Sequence, residues 1–400
     1  YNGVMPVTWP LSQRIQSFKP SATVSISNLA SEMKVDGEDV INLAVGEPDF
    51  DTPSHVIGAA ITAMQAGQTR YTHVAGTLTL RQAVCDKYQR DNQLSYQANQ
   101  VLVSNGAKQN IYNLTVALLD TGDQVIIPAP YWVSYYAMVT MAGAECVIIP
   151  CPASQAFKLT AAQLSAAITP TTKLLMLNSP SNPSGQAYSG AELMAIGEVL
   201  RLHPQVIILS DDIYEHIYWG QEPLVNLLNV CPDLANRCVL VNGVSKAYAM
   251  TGWRIGYAVG PELIIAAMTN VQVESSSCAS SISQAAAEAA LNGPQHLLKP
   301  MVSAYQQRHD YVVEQLNMMS GLEALPSQGT FYSFVNCSAA IAQLSYEDDV
   351  KLLEGILTST GVALVPGSAF GLPNHFRLSY ATDMAILQQA CERLRHFFNR

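Results

Sequence analysis

The chain has 400 residues, 49% of them hydrophobic and only 13% charged, with a formal net charge of −10. The length and apolar content exceed what one small core needs and imply a large domain with a smaller companion. The acidic balance and the lack of any Lys/Arg cluster exclude a nucleic-acid binder, and no apolar run reaches membrane-spanning length.

The start, YNGVMPVTWPLSQR, has neither the basic nor the apolar region of a secretion signal. The 8 cysteines are scattered and include no C-x-x-C pair. They fit free thiols in a reducing compartment better than a disulfide framework or a zinc site. A soluble, cytoplasmic protein with no metal is expected.

From residue 100 onward one rhythm recurs: a short apolar run, a turn, then a helical pattern. QVLVS (100–104) precedes NGAKQNIYNLTVALL, and QVIIPAP (124–130) precedes YWVSYYAMVTMAG. AECVIIP (144–150), TKLLMLN (172–178), QVIILSD (205–211) and RCVLVNG (237–243) repeat the apolar part. Such Val/Ile/Leu runs suit strands covered on both faces of a mainly parallel sheet, and their alternation with helices predicts an α/β architecture. The apolar runs weaken after about residue 295. There GTFYSFVNC, GVALVPGSAFG and HFRLSYAT read as a smaller α+β unit, joined by the N-terminal segment. The expected division is 1–50 for the N-terminal part of the small domain, 51–294 for the large domain and 295–400 for the C-terminal small domain.

In such sheets ligands gather where strand carboxyl ends meet helix amino ends. That rule singles out Gly106 to Lys108, Trp132, Asn182, Asp211 with Tyr214, and Ser245 with Lys246. SDDIYEH (210–216) ends an apolar strand on Asp211, and a carboxylate there is costly unless it meets a cation. An N-cap for a following helix is the plainer alternative. VSKAYAMTGWRIGYAVG (244–260) then supplies a hydroxyl, an amine and a planar anion fork in Ser245, Lys246 and Arg254. Arginine suits a phosphate, and a lysine amine among cations or apolar groups becomes a nucleophile that forms Schiff bases. Asp, Tyr, Lys and Arg together describe a site for pyridoxal phosphate.

At these residues the chain resembles the class I aminotransferases of fold type I, close to the bacterial aspartate and prephenate branch. The likeness runs from about Arg14 to the C-terminus. It rests on KPSATV (19–24), LAVGEPDFDTP (43–53), NGAKQ (105–109), PYWVSY (130–135), NSPSNPSG (178–185), SDDIYEH, the 244–260 stretch and FRLSYA (376–381), in order and with coherent spacing.

The resemblance implies that Lys246 is the Schiff-base lysine, that Asp211 holds the ring N–H, and that Tyr214 bonds the ring oxygen. Ser245, Arg254 and the amides of Gly106, Ala107 and Lys108 would bind the phosphate. Tyr71, in TRYTHVAG, matches a tyrosine that reaches the phosphate from the neighbouring subunit of a homodimer. Trp132 would stack on the ring and, with Asn182, Gly46 and Arg377, hold the substrate α-carboxylate; Asn182 would also contact the cofactor. Lys19 and Thr23 would meet a second carboxylate, making aspartate or glutamate the substrates and 2-oxo acids the acceptors. An aromatic, broad-range or prephenate aminotransferase, and a lyase of the same fold acting on C–S bonds, are the alternatives. A non-catalytic ligand sensor is a further one, disfavoured because every chemical residue is kept. Two departures bear on substrate range: Ser181 stands where the branch often has a second asparagine, and Cys278-Ala279 where Asn-Pro is frequent.

Overall fold

The computed structural model describes residues 11–12, 15 and 22–399. Its strands in chain order are Ile41–Asn42 (β1), Val101–Ser104 (β2), Gln124–Ala129 (β3), Glu145–Pro150 (β4), Thr172–Asn178 (β5), Ile207–Asp211 (β6), Cys238–Gly243 (β7), Gly256–Val259 (β8), Glu323–Ala324 (β9), Tyr332–Asn336 (β10), Val362–Ala363 (β11), Val365–Pro366 (β12) and His375–Ser379 (β13).

Seven of them form one sheet in the order β2-β8-β7-β6-β5-β3-β4. Five run parallel as neighbours, whereas β8 is antiparallel to both β2 and β7. Alternate side chains enter different cores. Leu175, Leu177, Ile208 and Leu240 join one cluster, while Leu174, Met176, Leu209, Val239 and Val241 join the other. Covering both faces explains why these strands read as unbroken apolar runs, each fully buried aliphatic side chain contributing about 1.5–3 kcal/mol. The α/β class with a mainly parallel sheet is therefore as expected. Strand β8 was not: it is short, contains glycine, and lies inside the 244–260 stretch that was read for its chemistry.

A third cluster joins Ala30, Met33, Ile41 and Leu43 from the N-terminal part to Phe331, Val335, Leu352, Phe376 and Leu394. It covers an antiparallel sheet of order β12-β13-β10-β9, and β1 pairs in parallel with β11. Helix Lys299–Asn317 feeds Met301, Tyr305 and Leu316 into this cluster. Tyr214 and Ile217, which follow β6, belong to the same cluster. The loop after β6 is thus pinned between the two assemblies. Among the described residues no helix is long and apolar enough to cross a membrane.

Candidate active site

The register Asn178↔Asp211↔Val241 brings the carboxyl ends of β5, β6 and β7 into line. A cavity of ≈ 490 Å³ opens at that edge, its floor made by Asn178, Asp211 and Ser245, with Lys246 beside them. Val45, Gly46, Tyr332, Phe370 and Arg377 close it from the smaller assembly.

Asp211 is buried, and burial pushes its carboxyl up to about 6; the Tyr135 hydroxyl, the Ile213 amide and the Lys246 charge oppose that rise. Tyr135 donates to Asp211 Oδ2 at 2.5 Å, and the Ile213 N–H donates to Oδ1 at 3.3 Å. No helix follows Asp211 directly; turns do, so the capping alternative does not describe it. The carboxylate is held in place and faces a cavity.

Lys246 Nζ donates to the Gly46 carbonyl at 2.7 Å. Burial lowers its ammonium to about 8, helped by the positive charge of Arg377 and resisted by Glu47. Glu47 itself accepts a hydrogen bond from Thr251.

Gly106 caps helix Ala107–Leu118 with φ of 86°, a conformation that favours glycine. A Cβ at this position would collide with the Arg254 guanidinium. Arg254 donates from Nη2 to the Asn105 carbonyl at 3.0 Å and from Nη1 to the Thr251 carbonyl at 2.8 Å. The guanidinium therefore lies against a helix N-terminus, whose first amides have no intrahelical acceptor. Gly256 of β8 permits the same approach, because a Cβ there would strike the backbone of Gly106 and Ala107. The Gly106 N–H is not free for a ligand, because it donates to the Ser104 carbonyl at 2.8 Å. One arginine, one serine hydroxyl and the amides of Ala107 and Lys108 at the helix start make an anion site suited to phosphate.

Arg377 of β13 donates to Asn182 Oδ1 at 3.0 Å and to the Ala44 carbonyl at 2.7 Å. Its guanidinium carbon lies 4.3 Å from the Tyr332 ring centroid and 5.0 Å from that of Phe370. Its Nε is buried and has no partner among the described residues, and the guanidinium lines the cavity, where it can meet a substrate carboxylate. Trp132 and Lys108 flank the opposite wall, the Lys108 amine 4.9 Å from the indole centroid. Burial, and then the Arg254 charge, lower the Lys108 amine.

The cavity thus gathers Gly46, Ala107, Lys108, Trp132 and Asn182 with Asp211, Tyr214, Ser245, Lys246, Arg254 and Arg377. Gly106 stands behind it as the helix cap. Tyr71 is elsewhere and 92% exposed on the single chain. Next to it, the Thr72 amide donates to Cys278 Sγ at 3.4 Å, so that departure lies against the Tyr71 loop. Lys19 and the Thr23 side chain fall outside the described residues. Tyr135, Tyr332 and Glu47 were not singled out from the sequence. For Tyr135 a signal existed, since Trp132 and Tyr135 are three apart at a helix start and share a face.

The residues present fit pyridoxal phosphate. They offer a buried acid for the ring nitrogen, a low-pKa amine for the aldehyde and a backbone cradle beside Arg254 for the phosphate. A second cavity of ≈ 530 Å³, lined by Asp212, Glu215 and Asn226 among others, contains none of the expected site residues.

Residues 38–394 match the family described as aminotransferase class I and II. The chain is 48% identical over 390 residues to the aspartate/prephenate aminotransferase of Nitrosomonas europaea, covering 96% of this chain and 98% of that one. It is likewise 48% identical over 388 residues to the aspartate aminotransferase of Rhizobium meliloti, covering 96% of this chain and 95% of that one. Among solved structures, a Rhizobium meliloti aspartate aminotransferase superposes with a TM-score of 0.94 at 46% identity, covering 98% of this chain and 100% of the other. The Thermus thermophilus aspartate aminotransferase with maleate gives 0.91 at 39% identity, covering 97% and 100%. With a cavity of this composition at the edge of this sheet, the chain belongs to the class I and II aminotransferases.

Proposed function

We propose that the protein is a pyridoxal-phosphate-dependent aminotransferase moving the amino group of aspartate or glutamate to a 2-oxo acid in two half-reactions. The observation that carries this reading is the position of the Lys246 amine. It shares one cavity with a buried carboxylate, Asp211, and with the anion corner of Arg254, while burial brings its pKa to about 8. When bound, pyridoxal phosphate supplies the aldehyde that an amine joins and the ring that draws electrons from the substrate α-carbon.

Lys246 is the base that takes the α-proton and returns it on the other side of the transfer. Asp211 would hold the ring nitrogen of the cofactor protonated, and the Tyr214 hydroxyl would bond its ring oxygen. Ser245, Arg254 and the amides of Ala107 and Lys108 would anchor the phosphate, with Gly106 shaping the turn that presents them. Arg377, with Asn182 and Gly46, would bind the α-carboxylate, and Trp132 would cover the ring. A dicarboxylic substrate needs one more cation. Arg254 and Arg377 are engaged, which leaves Lys108 on the cavity wall, the cation Lys19 of the N-terminal segment and, as a hydroxyl donor, Thr23. The Thermus relative was solved with maleate, itself a dicarboxylate.

The same reading makes the protein a homodimer with Tyr71 reaching the partner's phosphate. Ile57, Ile61 and Met64 form an exposed apolar row on helix Ser54–Gln65, a face suited to a subunit contact. Residues 51–294 hold the cofactor, and 1–50 with 295–400 form the smaller unit. The eight free thiols favour the cytoplasm.

The test is a panel of amino donors against 2-oxoglutarate and oxaloacetate, read by product formation. Rapid transfer from aspartate and glutamate is expected, with ping-pong kinetics. Preference for an aromatic donor, or for prephenate as acceptor, would move the substrate class within the branch. Continuous release of ammonia from a single amino acid would refute transamination.

A further inference from the structure

Tyr332 begins β10 and pairs with Ser379 of β13. Its hydroxyl lies 3.0 Å from the hydroxyl of Tyr214, and both phenols are buried at the cavity wall. Among the described residues neither hydroxyl has a second hydrogen-bond partner. Gly46 leaves the space this hydroxyl occupies, since a Cβ there would sit 2.5 Å from it. On the other side the Arg377 guanidinium covers the Tyr332 ring at 4.3 Å. One side chain therefore touches three elements of the site.

Two neutral phenols in contact must settle which one donates. The more acidic phenol is the better donor, and the positive charge above its ring makes Tyr332 the more acidic of the two. Burial raises both, and the Arg377 charge opposes that rise in both. For Tyr332 it is the main opposing influence and the Tyr214 contact adds to it. For Tyr214 it is outweighed by Tyr332, which pushes that phenol further up. When Tyr332 gives its proton to the Tyr214 oxygen, the Tyr214 O–H is free to turn into the cavity.

We infer that Tyr332 is a positioning residue that fixes Tyr214 as a hydrogen-bond donor toward the cofactor's ring oxygen, in a relay running Arg377, Tyr332, Tyr214. The inference deepens the function proposed above and rests on it. A donor that itself accepts a bond is strengthened. Tyr214 then stabilises negative charge on the ring oxygen, which loosens the proton shared with the Lys246 linkage. Removing the Tyr332 hydroxyl must weaken that effect and raise the pH at which the linkage loses its proton.

The experiment is a pH titration of the bound-cofactor absorbance in wild type, Tyr332→Phe, Tyr214→Phe and the double variant, each loaded with pyridoxal phosphate. In Tyr332→Phe the midpoint should rise by on the order of a few tenths of a pH unit. In the Tyr214→Phe background the same change should add nothing, because the relay is already cut. Equal shifts in both backgrounds, or no shift in the first, would overturn the relay while leaving the cofactor site intact. Should wild type itself bind no cofactor, the proposed function fails and the relay with it. If Tyr332→Phe does not fold, Tyr332→3-fluorotyrosine serves instead. Its more acidic phenol should lower the midpoint, and an unchanged midpoint would overturn the relay.

Discussion

Tyr135 donates its phenol proton to Asp211 Oδ2 across 2.5 Å, and the indole of Trp132 meets the Tyr135 ring edge-on at 5.5 Å. The wall that would cover the cofactor ring and the acid beneath it are therefore positioned by one side chain. Burial raises the Asp211 carboxyl to about 6, and the Tyr135 bond is the largest opposing influence. In Tyr135→Phe the carboxyl should protonate at higher pH, so cofactor affinity should begin to fall at a higher pH on acidification than in wild type. A bond to a charged group is worth about 1.5–3 kcal/mol, so cofactor binding at neutral pH should weaken roughly tenfold or more. Fluorescence titration of the cofactor-free protein from pH 5 to 8 measures both effects.

The lowered Lys246 amine carries its own pH signature. Its folded-state value of about 8 lies below the usual 10.5, so the unfolded chain holds the extra proton between those limits. The cost of burying the ammonium is full below pH 8 and is relieved as pH rises toward 10.5. Capture of pyridoxal phosphate by the cofactor-free protein should accordingly become half-maximal in rate near pH 8. Burial is the main cause and Arg377 the second, so Arg377→Gln should move that midpoint upward. Stopped-flow absorbance across pH 6–10 checks both.

Arg377 presents a planar fork to the cavity, with two nitrogens engaged and Nε without a partner among the described residues. Lysine keeps the charge and loses the fork. Arg377→Lys should lower kcat/KM for every amino donor by roughly ten- to a hundredfold, corresponding to about 1.5–3 kcal/mol. Cofactor affinity should change far less. A variant that loses cofactor as severely as substrate would place Arg377 in the wrong role.

Gly106 combines a φ of 86° with a site where any Cβ would run into Arg254. Gly106→Ala should cost about 1 kcal/mol or more in backbone strain and displace the guanidinium from the helix N-terminus. Phosphate protection of the cofactor-free protein against thermal unfolding should then be lost, while far-ultraviolet circular dichroism stays native. Retained protection would show that the anion corner tolerates a side chain.

Much of the architecture is legible because the strands are covered on both faces: TKLLMLN and RCVLVNG advertise themselves as β5 and β7, and their polar ends advertise the site. Asp211, Lys246, Arg254 and Arg377 stand out as charges in apolar runs within a chain of few charges. Tyr135 and Tyr332 do not, because a tyrosine in an apolar stretch looks like core filling. Their partners lie 76 and 118 positions away, and only folding brings each pair together. Strand β8 escaped notice because its GYAV is short, and its antiparallel course depends on pairing with β2 and β7. Tyr71 lies exposed on the single chain, and its part in a site depends on a second subunit rather than on any pattern along the sequence.

The covalent claim at Lys246 is tested most directly by borohydride reduction of the protein loaded with pyridoxal phosphate, followed by mass spectrometry of its peptides. The peptide spanning residue 246 should carry the reduced cofactor in near one-to-one amount, and Lys246→Ala should abolish the label. Cofactor recovered free, or fixed to Lys108 with Lys246 unmodified, would contradict the assignment.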